Sequence, residues 1–302
     1  MNLVLVVVGP TGVGKSRLAL ELAQELGGEV INADSRQVYR YMDIGTGKPG
    51  PQDRALVPHH LTDIVDPDQE FSLALFQPLA YHAIEEALQR TKLPILVGGT
   101  GQYVWGVVEG WQVPRVPPDS AFRQEMEERA RREGFGPLYD ELKALDAERA
   151  SRIDPRNVRR TIRALELARA GGRGRGKMPP PYRFLIIGLT APRRELYARI
   201  DGRVDDMIGR GWVEEVRALL DRGYSPSLPA FSSVGYREMV GYLKGELALP
   251  EAVQRIKYAT HRFARRQFAW FRLADPRISW LEATGDEVWR AVALVKETLE
   301  VR

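Results

Sequence analysis

Residues 9–16 read GPTGVGKS and directly follow an apolar run, LVLVVV, at 3–8. This is the Gly-x-x-x-x-Gly-Lys-Ser pattern of a phosphate-binding loop, which lies between a buried strand and a helix. Its glycines let backbone amides close around a phosphate, Lys15 adds a positive charge, and the Ser16 hydroxyl can ligate Mg²⁺. The motif predicts a parallel α/β fold and a polyphosphate ligand, without identifying that ligand. The residues expected at the phosphate are Gly9, Pro10, Thr11, Gly12, Val13, Gly14, Lys15 and Ser16.

Short buried strands alternate with amphipathic helices along most of the chain, a pattern typical of a parallel sheet covered by helices on both faces. Residues 119–170 instead show helical periodicity and no strand pattern, which indicates an all-helical insertion. We therefore predict a P-loop NTPase-like α/β core formed by 1–115 and 180–302, with a helical insertion at 116–179. The expected strands are 3–8, 29–32, 94–97 and 183–189. The expected core helices are 17–26, 72–90, about 194–222, 234–245, 250–272 and 285–300.

Two helices carry more detailed expectations. The apolar positions of the helix at 72–90 are Leu75, Leu79, Ile84 and Leu88. A helix of the insertion should begin with Asp154 as its N-cap and Pro155 as its first helical residue. At about 100° per residue, the apolar and basic side chains of that helix fall on opposite sides. The apolar side is Val158, Ile162 and Leu165, and the basic side is Arg156, Arg159, Arg160 and Arg163.

The net charge of +4 is concentrated in two basic segments. Residues 156–177 carry eight basic side chains against Glu166 alone, and residues 261–272 carry four arginines and no acid. Two basic stripes on an otherwise mildly acidic chain favour a nucleic acid partner over a small anion. A solvated surface with a flexible basic loop stays an alternative. The basic residues of the first segment are Arg156, Arg159, Arg160, Arg163, Arg169, Arg173, Arg175 and Lys177.

The acidic residue near the loop stands in an unusual place. In a typical ATP hydrolase or kinase, a strand beside the loop ends in an Asp that helps to hold Mg²⁺. Here 94–97 is followed by Gly98, Gly99 and Thr100, and the acid comes after the second strand, at Asp34. Because the carboxyl ends of parallel strands open onto the ligand crevice, Asp34 should lie near the phosphates as a Mg²⁺ ligand, general base or helix cap. Thr100 either contacts a phosphate or acceptor, or completes a tight turn.

Composition excludes several classes of site. The chain has no cysteine, so disulfides, thiol catalysis and cysteine-ligated zinc are excluded. The adjacent His59 and His60 are expected to make loop hydrogen bonds rather than to bind a metal. No apolar run approaches the roughly 18 residues of a membrane helix, and the N-terminus does not resemble a signal peptide. A cytoplasmic enzyme is the default expectation.

Seven segments, in order over nearly the whole chain, carry a family resemblance: GPTGVGKS (9–16), DSRQVYRYMDIGTGKP (34–49), HHLTDI (59–64), GGTGQY (98–103), NVRRTIRALE (157–166), SSVGYRE (232–238) and RRQFAWFR (265–272). Together they resemble the tRNA dimethylallyltransferases, and the 34–49 block is the most specific part. Two departures are small: Tyr41 stands in a glycine-like slot, and Gly47 stands where alanine is common. The lack of a C-terminal zinc finger is typical of the short bacterial or organellar type.

The resemblance implies that the loop binds dimethylallyl diphosphate, with Mg²⁺ on Ser16, and that the group is transferred to N6 of the adenosine 3′ of the anticodon in tRNA. It implies Asp34 at the acceptor amine, Lys15 at the diphosphate, and Thr100 and Arg123 at the reacting centre. The partner is then a tRNA anticodon stem-loop, and the protein is expected to be a monomer that binds no membrane. The implied tRNA contacts are Asp34, Ser35, Arg36, Gln37, Arg159, Arg160, Thr161, Ile162, Arg163, Ser232, Ser233, Val234, Gly235, Tyr236, Arg237, Arg265, Arg266 and Arg272.

Among these contacts, Tyr236 and Arg237 are the strongest candidates for direct contact, because they follow the loop at Pro229. In 261–272 we expect the aromatic rings to pack on the core and the arginines to face phosphates, with base stacking as the alternative. Those rings are Phe263, Phe268, Trp270 and Phe271. Two other function classes stay open: a P-loop small-molecule or nucleotide kinase that turns over ATP without tRNA, and a nucleotide-gated RNA-binding protein.

Overall fold

A computed structural model describes residues 2–114, 116–172 and 176–300. The chain divides into two compact units, one formed by Met1–Glu109 with Pro179–Arg302, the other by Gly110–Met178. Arg173 and Arg175 of the first basic segment lie outside the described residues. Within the described ranges, no helix has both the length and the apolar composition needed to cross a membrane.

The first unit is built on a six-stranded sheet in which every paired strand is parallel. Its strands are β1 Leu3–Val8, β2 Gly28–Asn32, β3 His59–His60, β4 Leu93–Val97, β5 Arg183–Thr190 and β6 Ile278–Glu282. Their order is β3-β2-β4-β1-β5-β6. The predicted parallel α/β fold and its four predicted strands are confirmed. The edge strands β3 and β6 were not predicted.

The helices of this unit surround the sheet. They are α1 Lys15–Leu26, α2 Pro51–Leu56, α3 Leu73–Gln89, α4 Gly101–Val108, α9 Arg193–Gly209, α10 Trp212–Asp221, α11 Tyr236–Leu243, α12 Leu249–Gln267 and α13 Glu287–Glu300, with a 3₁₀ turn at Pro229–Ser232. All six residues of β1 are buried, because this apolar strand lies between β4 and β5. The carboxyl end of β1 therefore places the phosphate loop at the middle of the sheet edge.

The inward face of α3 differs from the expected one. Ile84 is buried as predicted, but Leu75 is 51% exposed and Leu79 is 41% exposed. The buried face is centred on Phe76, whose ring stacks on Tyr103 of α4 with 4.2 Å between centroids. Alanines complete that face and allow close helix packing, so counting leucines selects the wrong side. They are Ala80, Ala83 and Ala87.

The second unit is helical, with α5 Ser120–Glu133, α6 Gly136–Leu145, α7 Ala147–Ala150 and α8 Val158–Arg169. It begins at Gly110 rather than at 116 because its entry and exit segments pair. Met178 N donates to Gly110 O over 2.8 Å. The core of the unit includes Met126, Leu138, Leu142, Ile162 and Leu165, with Phe122, Ala130 and Val158 packed against it.

The predicted start of α8 is wrong. The helix begins at Val158, and its N-cap is Asn157, whose side chain accepts from Arg160 N over 3.2 Å. Asp154 makes a local turn instead, since its Oδ1 accepts from Arg156 N over 3.0 Å. The Asp154 carboxylate thus bonds to the backbone two residues further along, and Pro155 lies in this turn before the helix. The predicted separation of apolar and basic sides of α8 is confirmed for Arg159 and Arg160, which are exposed. Arg163 is half-buried beside Glu166, and Arg156 lies in the turn before the helix.

Candidate active site

The phosphate loop adopts the conformation that its glycines allow. Gly14 immediately precedes α1 with φ 108°, a left-handed conformation that a side chain would strain. The helix then begins at Lys15, so the first-turn amides of α1 point toward the loop. Lys15 Nζ donates to Pro10 O over 2.9 Å across the loop. Ser16 is exposed on the same first turn.

The charged side chains of Lys15, Asp34 and Arg203 interact electrostatically at the loop. Burial lowers the pKa of Lys15 to about 8, although the nearby Asp34 carboxylate opposes that shift and Arg203 adds to it. Burial also lowers the pKa of Arg203, against the effect of Asp34. Two partly desolvated cations thus face one carboxylate, an arrangement that favours a bound polyanion. Arg203 was missed by sequence reasoning, because nothing distinguishes it from the solvated arginines of α9.

Asp34 lies at the carboxyl end of β2, where the sequence placed it. The buried amide of Asn32 fixes the turn, since its Oδ1 accepts from Asp34 N over 3.0 Å and its Nδ2 donates to Leu61 O over 2.9 Å. Asp34 Oδ1 accepts from Arg36 N over 2.8 Å. Asp34 Oδ2 has no hydrogen-bond partner among the described residues. One carboxylate oxygen therefore closes the turn of Asp34, and the other is available to a ligand.

Thr100 joins the ends of β2 and β4. Its Oγ1 accepts from Ser35 N over 3.0 Å and donates to Ser35 Oγ over 3.3 Å. Ala33 N also donates to Val97 O over 2.7 Å, which extends the strand pairing up to Asp34. The hydroxyl of Thr100 therefore sits one residue away from the candidate base.

Three cavities lined by described residues touch the loop, and one of them, of about 240 Å³, reaches it only at Ser16. A cleft of about 770 Å³ is lined by Gly12 to Arg17, by Arg199 and Arg203, and by the segment 282–287 after β6. A smaller cavity of about 230 Å³ contacts both Thr11 of the loop and Asp34. Its apolar wall is formed by Ile200, Val204, Met207, Trp212, Ile256 and Phe263. The loop and the candidate base are thus brought together at one cavity with a largely apolar wall.

The 34–49 block is held by its own polar side chains. Gln37 Nε2 donates to Thr46 O and Gly47 O over 3.2 and 3.1 Å, so this amide holds the 34–49 block together. The buried Lys48 pairs with Asp43 and Asp63. Tyr41 has φ 64°, which accounts for the glycine-like slot noted in the sequence. These contacts make the block a rigid rim beside Asp34.

The predicted contacts at 232–237 divide into two groups. Ser232, Ser233 and Val234 line the smaller cavity together with Arg36, whose Nη1 donates to Pro229 O over 3.2 Å. Arg237 is exposed.

Tyr236 is fully buried, and Gly235 is buried against Trp212. The expectation that Tyr236 contacts RNA directly is therefore corrected: its ring belongs to the core, and its hydroxyl donates to Glu215 over 2.7 Å.

The insertion also divides its predicted contacts. Arg159 and Arg160 are exposed, whereas Thr161 and Ile162 are buried, so the side chains of the latter pair do not face solvent. The buried carboxylate of Glu166 accepts from Arg123 over 2.8 and 3.0 Å and from Arg163 over 2.8 Å. The functional roles of these arginines stay predictions: Arg123 at the reacting centre, and Arg159, Arg160 and Arg163 at tRNA.

At the end of α12 and just after it, aromatic rings and arginines differ in burial. Phe271 is buried, Phe268 packs against the core, and Trp270 is 39% exposed. The predicted outward arginines Arg265, Arg266 and Arg272 are all exposed. Between them lies Gln267, a buried residue that sequence reasoning did not single out. Its spacing of one helical turn from the buried Ala264 was the only available signal.

The paired histidines act in hydrogen bonds. His59 Nδ1 lies 2.8 Å from Val57 O, and His60 Nε2 lies 2.7 Å from Glu29 Oε2. Arg90 holds the same Glu29 carboxylate over 2.8 Å. The predicted hydrogen-bonding role of these histidines is confirmed, although they lie in β3 rather than in a loop.

The fold and the site define a P-loop α/β protein whose phosphate loop shares a cavity with the carboxylate of Asp34. A family model described as IPP transferase matches residues 37–274, and one described as isopentenyl transferase matches residues 1–56. The tRNA dimethylallyltransferase of Roseiflexus castenholzii is 53% identical over 98% of this chain and 98% of its own length. That of Thermomicrobium roseum is 52% identical over 93% of this chain and 86% of its own.

Solved structures agree with these relatives. The tRNA isopentenylpyrophosphate transferase from Bacillus halodurans is 39% identical, with a TM-score of 0.74 over 99% of this chain and 97% of its own. A eukaryotic dimethylallyltransferase acting on tRNA is 28% identical, with a TM-score of 0.80 over 100% of this chain and 80% of its own. The chain belongs to the IPP transferase family of tRNA dimethylallyltransferases.

Proposed function

We propose that the protein transfers a dimethylallyl group from dimethylallyl diphosphate to N6 of the adenosine 3′-adjacent to the anticodon in tRNA, with release of diphosphate. Family membership supports this reaction. One observation carries the placement of the site: Thr11 of the phosphate loop and Asp34 line the same cavity. A donor held by its diphosphate and an acceptor nitrogen held at Asp34 would meet there.

Asp34 is proposed as the general base. The exocyclic N6 of adenine is a poor nucleophile because its lone pair is delocalised into the ring. A carboxylate within hydrogen-bond reach can take the proton as the new C–N bond forms. Asp34 Oδ1 accepts from Arg36 N, so we assign Oδ2 to the proton. The hydrogen bond that Asp34 N donates to Asn32 Oδ1 holds the backbone of the base in place.

The leaving diphosphate needs positive charge as it departs. Lys15, Arg203 and the amides of the loop supply it, and desolvation strengthens their effect. The apolar wall beside them includes Ile200 and Phe263, and it suits a five-carbon prenyl group. Thr100, held on Ser35, is proposed to orient the acceptor side, and Arg123 is proposed to act at the reacting centre.

Mg²⁺ is proposed as the cofactor. Ser16 supplies a hydroxyl oxygen at the start of α1, and the described residues form no cluster of three or more acidic, His or Cys side chains that would hold a metal. Mg²⁺ commonly takes few protein ligands and completes its shell with substrate phosphates and water, so this donor set fits. When bound, Mg²⁺ would neutralise charge on the diphosphate.

The exposed arginines are proposed to hold the backbone of an anticodon stem-loop. They are Arg159, Arg160, Arg237, Arg265, Arg266 and Arg272. Such contacts make binding depend on salt but carry little sequence information. The target base must leave its stack to reach a cavity, which costs least in a single-stranded loop. The cytoplasmic location and the monomeric state of the protein stay predictions.

The test is transfer of label. The protein is incubated with unmodified tRNA, Mg²⁺ and dimethylallyl diphosphate labelled in the prenyl group, and label in the RNA is measured. We expect incorporation that depends on tRNA and is unaffected by omitting ATP. A protein of this family run in parallel serves as the positive control, and absence of label under conditions where it works would overturn the proposal. A kinase would instead move the γ-phosphate of ATP without tRNA.

A second measurement tests the base. Asp34→Asn should abolish transfer while the Kd for tRNA stays within about threefold, because the amide keeps the size of the side chain but takes no proton. Asp221→Asn, at the exposed end of α10, is the matched control and should retain full turnover. If Asp34→Asn still turns over at the wild-type rate, Asp34 is not the base.

A further inference from the structure

Gln267 is the last residue of α12 and is only 4% exposed, although Arg265 and Arg266 just before it face solvent. Its Oε1 accepts from Thr11 N over 2.8 Å, and its Nε2 donates to Gly99 O over 2.9 Å. One buried amide thus bonds to the phosphate loop on one side and to the turn after β4 on the other. Neither bond is local, since 256 and 168 residues separate the partners in sequence.

The two segments it joins follow neighbouring strands of the sheet. β1 and β4 are neighbours, and their pairing ends with the bond from Gly98 N to Val7 O over 3.2 Å. Beyond that bond the chains diverge, one into the phosphate loop and the other into the turn that carries Thr100. Gln267 enters between them from α12 and bonds to both.

Gly99 is shaped for this contact. A Cβ at Gly99 would clash with Gln267 Nε2 and would lie 3.7 Å from Lys15 Nζ. The close approach therefore requires a residue without a side chain. The turn, the amide and the lysine of the phosphate loop form one packed group.

We propose that Gln267 is a positioning residue for the transfer reaction, which sets the spacing between the diphosphate held at Lys15 and the acceptor side held by Thr100. The inference rests on the proposed transfer activity. Gln267 touches neither reactant in this scheme, and it acts through Thr11 and Gly99. Displacement of a reacting group by about 1 Å can cost about a hundredfold in rate, so fixing this spacing matters to turnover.

The chemistry of the amide gives a specific test. A glutamine both donates and accepts, and an ionised glutamate of the same shape only accepts. Gln267→Glu therefore keeps the bond from Thr11 N and sets a carboxylate oxygen against Gly99 O. When that carboxyl is protonated, it again has one O–H donor and one acceptor, and burial favours this neutral form. The defect should be reversed by acid.

The experiment measures kcat and both KM values of label transfer from pH 6 to pH 8.5 for wild type, Gln267→Glu and Gln254→Glu. Gln254 lies exposed on the same helix and is the matched control. We expect Gln267→Glu to lose about tenfold to a hundredfold in kcat at pH 8, with KM for tRNA within about twofold. The ratio of wild-type to variant kcat should shrink as pH falls. Gln254→Glu should match wild type throughout.

A ratio that stays near one, or a deficit that does not change with pH, would overturn the inference. If Gln267→Glu does not fold, Gly99→Ala decides, because it displaces the same amide from the other side. It should lower kcat with KM for tRNA unchanged, and unchanged kcat would refute the positioning role. Wild-type transfer in the same assay separates this outcome from failure of the proposed function.

Discussion

The hydroxyl of Tyr236 donates a 2.7 Å hydrogen bond to the carboxylate of Glu215, and the same carboxylate accepts the N–H groups of Asp43, Ile44 and Gly45 over 2.7, 2.6 and 3.1 Å. One side chain on α10 thus holds the middle of the 34–49 block against the helical side of the core unit. The buried tyrosine orients that carboxylate and so supports the rim of the site. Burial, and after it the negative charge of Glu215, raises the pKa of Tyr236 well above its ordinary value.

Glu215→Ala should destabilise the protein by about 2 to 3 kcal/mol, because three backbone donors and one hydroxyl lose their acceptor. Tyr236→Phe should cost only about 1 kcal/mol, since it removes a single bond and keeps the ring. Thermal or urea unfolding followed by circular dichroism measures both. Glu214→Ala, on the exposed face of the same helix, is the control and should change stability by less than about 0.5 kcal/mol. Equal effects for Glu214→Ala and Glu215→Ala would refute the assigned role.

Lys15 should make binding of diphosphate depend on pH. Burial lowers the pKa of Lys15 in the free protein to about 8 from its ordinary 10.5. Between these values the unfolded chain holds more protons than the folded one, so this group makes stability rise with pH in that window. A bound anion prefers the charged lysine, so affinity for inorganic pyrophosphate should fall about tenfold from pH 8 to pH 9.5.

Calorimetric titration with pyrophosphate measures that slope, and Lys15→Met is the comparison. Ionisation of pyrophosphate itself contributes equally to both proteins, so the difference between their slopes belongs to Lys15. We expect the variant to bind more weakly at pH 8 and with a flatter pH profile. Parallel profiles for the two proteins would contradict the assignment.

Local pattern was enough to predict the loop, the central strands and the parallel sheet, because each depends on residues close in sequence. The apolar run before GPTGVGKS can only be a buried strand, and Asp34 follows from the end of the next strand. β3 has only two residues, which is too short to detect, and in β6, ISWLE, a serine interrupts the apolar run. The face of α3 was mistaken because alanines, rather than leucines, line its packed side.

The rest of the site depends on contacts between distant segments. Arg203 and Gln267 lie on helices that also carry exposed arginines, and only the folded chain brings them to the phosphate loop. Tyr236 shows the reverse case: its place in a family motif favoured contact with RNA, but tertiary packing buries it. The sequence predicted the phosphate loop and the position of Asp34, and the structure shows which side chains hold them.

The corrected start of α8 predicts which residue caps it. Asn157→Ala should lower the stability of the insertion by about 1 kcal/mol, because Arg160 N loses its side-chain acceptor. Asp154→Ala should cost less than about 0.5 kcal/mol, since its pairing with Arg156 is exposed and screened. Hydrogen exchange of the amides at the start of α8 reports both changes locally. The reverse order of effects would restore Asp154 as the cap.

Glu166 should govern the acid stability of the insertion. Burial alone would raise its pKa, but hydrogen bonds from Arg123 and Arg163, with Asp119 N as a further donor, hold the pKa below its ordinary value. A lowered folded pKa means that its stabilisation is present above the unfolded pKa and is lost as pH falls through the folded one. Glu166→Gln should cost about 3 kcal/mol at pH 7, because two cations lose their buried counter-charge.

The same variant should lose part of the acid dependence of unfolding, which urea titrations at pH 7 and pH 4 measure. At pH 4 the gap between wild type and variant should begin to narrow, because the unfolded chain is protonated there before the folded carboxylate, whose charge is lost only at lower pH. Glu127→Gln, on the exposed side of α5, is the matched control and should follow wild type at both values. A variant whose deficit is the same at pH 7 and pH 4 would show that Glu166 stabilises through packing and not through its charge.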